Sequence, residues 1–246
     1  MKISQEQKSE NRRAIIRSAV DLVSEKRFKS ATMRAIAKAA GVGEATIYNY
    51  FPTKEAIIYA YYEDHMQASI EALKQVESFH TFSLQEQLQT LFDASLNLYL
   101  PDREFVSQTV GLVLTGGSSD WSRVKPIRAV FLSAVNDMLD AACEVDEIPE
   151  PLFQELISQF FVDAYFGVVH YWLADTSDGF GDTSVLIDRG LDLACAFLKA
   201  GIANKIFDMA LFLFKTHVLT RLDRVMAPIS VAGKVKRRFM EALDEK

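Results

Sequence analysis

The residues best suited to metal binding or nucleophilic chemistry are His65, His80, His170 and His217 with Cys143 and Cys195. Their spacing serves neither purpose. No histidines stand at ligand spacing, the cysteines form no C-x-x-C, and neither H-E-x-x-H nor G-x-S-x-G occurs. The stretch "GGSSDW" lacks the Gly-Lys-[Ser/Thr] of a phosphate loop. "DTSDGFGDTS" starts like a calcium loop, but Leu186 stands where the closing glutamate belongs, so it reads as a connector capping the next helix. One segment does carry chemistry in its spacing: "GVGEATIYNYF", residues 41–51. Two readings compete for it. Gly41-x-Gly43 opens a phosphate-cradling loop, or Gly41 is the turn between two short helices, one of which reads DNA.

The flanking elements decide between them. A phosphate-binding fingerprint needs a strand before its first glycine, and its third glycine would fall at position 46, where threonine stands. The preceding "MRAIAKAA" instead places Ile36, Ala37 and Ala40 at helical spacing. A helix-turn-helix uses every part of the segment: Ala37, Ala40 and Ala45 are small where helices cross, Gly41 reverses the chain at positive φ, and Val42 and Ile47 pin the unit from inside. Upstream, Ile15, Ala19, Leu22 and Val23 form one face of a helix over residues 10–26. Ser30 or Thr32 caps the second helix, a third runs over 44–50 to Pro52, and Thr53 caps a longer helix reaching about residue 78.

Together "TMRAIAKAAGVGEATIYNYFPTKEAI" resembles the signature of the TetR family of bacterial transcriptional regulators. The matching positions are Thr32, Ile36, Ala37, Ala40, Gly41, Val42, Thr46, Ile47, Tyr48, Tyr50, Phe51, Lys54 and Glu55. Two positions depart from the pattern: Gly43 replaces a frequent Ser or Thr cap, and Tyr50 a frequent histidine. The resemblance implies a third helix in the major groove exposing Glu44, Ala45, Thr46, Tyr48, Asn49 and Tyr50. Asn49 would pair bidentately with adenine, and Ala45 and the Thr46 methyl would touch thymine methyls. Glu44 would accept from a cytosine amine or discourage non-specific phosphate contact. Tyr48, Lys54 and Thr32 would hold phosphates, and Arg34 would reach guanine or a phosphate. Tyr48 and Tyr50 have an alternative as packing residues, and Arg12, Arg13 and Arg17 one as a solvated face.

The rest of the chain reads as further helices, at about 83–99, 102–115, 122–143, 151–174, 183–200, 203–225 and 230–244, with no sustained strand alternation. The expected fold is all-α: a helix-turn-helix DNA-binding domain over 1–53 and a larger helical ligand-binding and dimerisation domain over 54–246. In the family, two helices from each subunit form a four-helix dimer bundle. The helices at 151–174 and 183–200 suit that role through Leu152, Leu156, Phe160, Tyr165, Leu186, Gly190, Leu191 and Phe197. Family members commonly bind a small effector in the body, and Tyr62, His65, Phe92, Tyr99, Trp121 and Phe131 are candidate lining residues, with plain core packing as the alternative. The segment 201–246 exceeds what a minimal family body requires.

Charge agrees with this division. Residues 1–54 hold 11 Lys and Arg against 5 acids, a net +6, so the remainder carries −12 of the total −6. A basic head on an acidic body suits a polyanionic partner at the head alone. Apolar content of 49% and charged content of 24% are those of a soluble globular protein, and the apolar runs are too short or interrupted to span a bilayer. The polar N-terminus is no secretory signal, and unpaired cysteines fit a reducing cytoplasm, with the protein on the nucleoid when operator-bound. The expected function is a homodimeric repressor released from its double-stranded operator by a small, largely apolar effector. No enzymatic activity, cofactor, metal or membrane partner is expected. The alternative is an all-α scaffold whose head contacts a protein.

Overall fold

The computed structural model describes residues 4–114 and 121–219, and within them every regular element is helical. Helix α1 (Gln5–Lys26) starts where the Ser4 hydroxyl accepts the Gln7 N–H. It buries Ile15, Ile16, Ala19, Val20 and Val23, a single stripe at the 3.6-residue repeat. The short helices α2 (Met33–Ala39) and α3 (Glu44–Tyr50) follow, and then the long α4 (Lys54–Leu73), capped by Thr53. A 3₁₀ turn at Phe79–Thr81 leads into α5 (Leu84–Tyr99), which opens with a capping box between Ser83 and Glu86.

A second 3₁₀ turn, Leu100–Asp102, leads into α6 (Arg103–Leu114). Helix α7 (Trp121–Glu144) lies against α4 and α8 (Gln154–Ala174). Then come α9 (Gly181–Lys199) and α10 (Ile202–Leu213), which a π-helical turn over Phe214–Leu219 extends. The helix expected over 230–244 lies outside the described residues. The "DTSDGFGDTS" connector is tied by Asp175, whose carboxylate accepts the N–H and O–H of both Ser177 and Thr183. Those four hydrogen bonds hold this carboxyl below its ordinary range.

One hydrophobic cluster runs from Ile15 in α1 to Leu198 in α9. The first three helices are therefore not an independent bead. Phe28 N–H donates to Gln108 Oε1 at 2.9 Å, Arg12 Nη2 to Asp64 at 2.9 Å and Arg17 Nη1 to Asp102 at 2.8 Å, joining α1 and the loop after it to α4, α6 and the turn before α6.

Candidate nucleic-acid interface and body interior

The helix-turn-helix is built by local chemistry. Thr32 Oγ1 accepts the Ala35 N–H at 3.2 Å and starts α2. Gly41 then adopts φ 68°, and the Val42 N–H donates back to Ala37 O at 3.0 Å, closing the turn. Any Cβ at Gly41 would have open space around it, so the requirement for glycine is conformational. Gly43 starts α3 without a side-chain cap. Ile36, Ala37 and Ile47 are buried, and that anchor turns the opposite face of α3 to solvent.

On that face Glu44, Ala45, Tyr48 and Asn49 are exposed, with Thr46 half-covered. Tyr48 is 55% exposed, which favours contact over packing. Tyr50 is half-buried against the core, and its hydroxyl accepts from Asn11 Nδ2 at 3.2 Å, which favours packing over contact. Arg34 and Glu44 pair across the turn, Nε to Oε1 at 2.7 Å, and both stay open to solvent. Lys54 points its ammonium at the carbonyls of Phe28 and Ala31, 4.1 Å from the centroid of the Phe28 ring. It braces the loop before α2, and one of its three N–H donors remains for a phosphate. The pairs of Arg12 with Asp64 and of Arg17 with Asp21 and Asp102 turn those cations toward protein carboxylates. The sequence alone leaves phosphate contact and a solvated face both open for them, because two of the three acceptors lie 52 and 85 residues away.

Inside the body, Tyr62 from α4, Phe92 and Tyr99 from α5 and Phe131 from α7 are buried in one hydrophobic cluster, and the buried His65 of α4 stacks on its Tyr99. Trp121 begins α7, and its side chain lies outside the described residues. The cluster contains two polar members that the sequence reading missed, Ser95 and Thr109. Tyr165 OH lies 2.5 Å from Ser95 Oγ, and Ser95 Oγ lies 3.0 Å from His65 Nε2. Tyr62 OH meets Thr109 Oγ1 at 3.0 Å. The Tyr99 hydroxyl faces that of Tyr165 without closing a well-formed hydrogen bond, while its ring stacks on His65 with centroids 3.4 Å apart. A signal was available: Ser95 falls on the Leu88–Leu91–Phe92–Tyr99 stripe of α5, where a small polar residue must find a partner.

Burial lowers the His65 pKa to about 3, the Ser95 hydrogen bond offsetting part of the shift. The folded state thus holds His65 neutral. Its contribution is present above the unfolded value of 6.5 and is lost as pH falls from there toward 3. The histidine should remove about 2 kcal/mol of stability between pH 7 and pH 5. Urea titrations of the wild type and of His65→Gln at the two pH values measure this; the variant should show a shallower decline.

The structure divides the expected dimer residues. Leu152, Leu156, Phe160, Leu186, Gly190 and Phe197 are exposed on one side of α8 and α9. Tyr165 and Leu191 are not: Tyr165 is fully buried and bonded to Ser95, and Leu191 is 3% exposed. Helical repeat explains both. Tyr165 continues the inward row Ile157–Phe161–Tyr165–Val168–Trp172, and Leu191 the inward row Thr183–Ile187–Leu191–Cys195–Leu198. Among the described residues no group of three His, Cys, Asp or Glu is placed to hold a metal, and no helix is long and apolar enough to cross a membrane.

Two family models match the chain. Residues 15–61 match bacterial regulatory proteins of the tetR family, and residues 87–213 match a tetracyclin repressor-like C-terminal domain. The fatty acid metabolism regulator protein of Bacillus subtilis (strain 168) is 25% identical over 191 residues, 78% of this chain and 95% of that protein. The fatty acid degradation regulator FadR from Bacillus halodurans superposes with a TM-score of 0.61 at 21% identity, covering 81% of this chain and 99% of that one. FadR from Bacillus subtilis in complex with stearoyl-CoA gives 0.58 at 22% identity, covering 77% and 98%.

Proposed function

The chain belongs to the tetR family of bacterial regulatory proteins, and we propose that it is a homodimeric repressor whose DNA affinity falls when a fatty acyl thioester binds its body. Residues 1–53 act as the DNA-binding head and residues 54–246 as the effector-binding and dimerisation body. The observation that carries the reading is the two-sidedness of α3: Ile47 is fully buried, while Ala45, Tyr48 and Asn49 stand in solvent beside the Arg34–Glu44 pair. Asn49 offers an amide to adenine, Ala45 a methyl contact to thymine, and Tyr48 a hydroxyl to a phosphate. A dimer presents two such helices to successive major grooves on one side of the duplex.

The effector class comes from the relatives. One relative is named for fatty acid metabolism, and a structural neighbour was solved with stearoyl-CoA. This body supports that class with an aromatic and aliphatic interior. It also carries an open cleft of about 440 Å³ between the end of α4 and α7, with apolar walls from Ile70, Leu73, Phe79 and Met138 and polar ones from Lys74, His80, Gln87 and Asp137. For release to occur, the thioester must bind the DNA-incompetent arrangement better than the competent one. The contacts of Arg17 and Tyr61 with Asp102, at 2.8 and 3.1 Å, supply a path from α4 to α1.

The test begins with selection of duplexes from a random pool by the pure protein. A palindromic site should emerge, and its affinity should fall steeply as salt rises. Added acyl-CoA of long chain should then raise the operator Kd at least about tenfold, the scale of ordinary allosteric coupling. Selection of no duplex would favour a head that docks on protein. Operator binding that long-chain acyl-CoA leaves unchanged would remove the thioester and keep the regulator.

A further inference from the structure

Among the described residues, 14 of the 18 large apolar side chains left exposed lie between Leu152 and Phe214, on α8 to α10 and their connections. Apolar side chains scattered singly need no explanation, but a concentration on three neighbouring helices does. Helix α10 is held firmly at its start. Asn204 accepts the Leu152 N–H at 3.0 Å and donates to Glu150 O at 2.9 Å, while Phe207 packs edge-on against Phe153 at 5.1 Å. Its other face is left in water, with Ile206 55%, Met209 62% and Phe212 61% exposed.

Ile206, at the edge of that face, and Phe207, on the packed side, form one wall of an apolar groove of about 400 Å³. The opposite walls are Leu156 and Phe160 from α8 and Leu193 and Phe197 from α9. The groove is therefore continuous with the α8–α9 face that the dimeric reading uses. It also lies beside a ridge, Met209 and Phe212, on the same chain.

We propose that α10 belongs to the interface between two copies of this chain, the Met209–Phe212 ridge of one protomer seating in the α8–α9–α10 groove of its partner. A two-fold interface requires one self-complementary patch, and a groove adjoining a ridge of the same apolar chemistry is such a patch. A small apolar molecule in the groove would leave Met209 and Phe212 in water; a second copy covers both. The larger apolar area moves the contact from the α8–α9 pair alone toward the size of an obligate interface. The proposal rests on the dimeric reading above and adds α10 to it.

Sedimentation equilibrium of the full chain without DNA, over a dilution series, tests this. Met209→Asp/Phe212→Asp should raise the dimer dissociation constant at least about tenfold, since two central apolar contacts are lost from each of two symmetric sites. Met209→Ala/Phe212→Ala should move it in the same direction by less. Val145→Asp, exposed in the turn after α7 and outside the groove and ridge, should leave it unchanged, and circular dichroism should show equal helicity in all four proteins. Amides of residues 202–213 should exchange slowly in the dimer and faster on dilution. A constant within about twofold of wild type in both double variants, with exchange in α10 indifferent to dilution, overturns the proposal and assigns this face to another occupant. A wild type that sediments as a monomer at every concentration overturns the dimeric reading itself and the α10 proposal with it.

Discussion

Replacing Arg34 with alanine is expected to weaken binding to the selected operator by about 5- to 150-fold, the equivalent of the 1–3 kcal/mol carried by one good bidentate base contact. The argument turns on how Glu44 holds the side chain. Glu44 Oε1 engages Nε at 2.7 Å, and the side chain stays 82% exposed, so the two terminal nitrogens of the guanidinium are accessible to a partner. Those are the atoms that reach O6 and N7 of a guanine. As a stabiliser of the fold, an exposed ion pair contributes only about 0–1 kcal/mol, so Arg34→Ala should leave unfolding almost unchanged. Glu44 is better understood as orienting Arg34 than as reading cytosine. A double-mutant cycle separates these roles. If Glu44 acts through Arg34, Glu44→Gln weakens operator binding in the wild type and adds little in the Arg34→Ala background. If Glu44 accepts from a cytosine amine, the two losses add, and preference changes at a second base pair. Normal operator binding by Arg34→Ala would remove this docking geometry.

Trp172→Ala should reduce unfolding free energy by about 3–5 kcal/mol, a large part of the 5–15 kcal/mol usual for a domain. The indole is 2% exposed and meets both Arg103, 5.3 Å from the ring centroid, and Phe180, 5.7 Å away, which also touch each other. It also borders an open cleft of about 260 Å³ lined by Leu96, Leu100 and Ile187 together with Asp93, Asn97 and Ser184. The surroundings resist collapse onto the vacated space. Arg103 Nη2 is committed to the carbonyls of Trp172, Leu173 and Asp175 at 2.9–3.1 Å, and Asp175 is tied to Thr183. The cavity therefore stays open, and its cost adds to the lost transfer free energy. Trp172→Phe should lose less, because a ring still covers Arg103. Chemical denaturation of the three proteins reads the order directly. A loss below about 1 kcal/mol for the alanine variant would mean that this end of α8 contributes little to the fold.

The head was legible in the sequence because its determinants are local. Thr32 caps the helix that follows it, Gly41 takes the positive φ that a sharp reversal needs, and Ile47 anchors a seven-residue helix whose opposite face then has nowhere to go but solvent. Tyr50 was less legible, because its choice between a duplex and the core depends on Asn11, 39 residues earlier. The interior polar cluster was hidden for a similar reason. Tyr165 and Ser95 are 70 residues apart, and neither alone announces the other.

The amino-acid order by itself determined the all-helical class, the turn at Gly41, the caps and the apolar stripes, since each depends on neighbours within about four residues along the chain. It could not rank the sides of a helix whose apolar stripe is wider than one buried face needs. Phe160 and Phe161 are adjacent and chemically identical, yet one is 57% exposed and the other 1%. Helix packing made that choice: Phe161 continues the row that buries against the rest of the body, and one residue is a turn of about 100°. The same packing put Tyr165 and Leu191 inside, left Leu156, Phe160 and Phe197 outside, and set α10 beside them. Those assignments depend on which helices meet, because burial is a property of contacts between distant segments and is written into no single one of them.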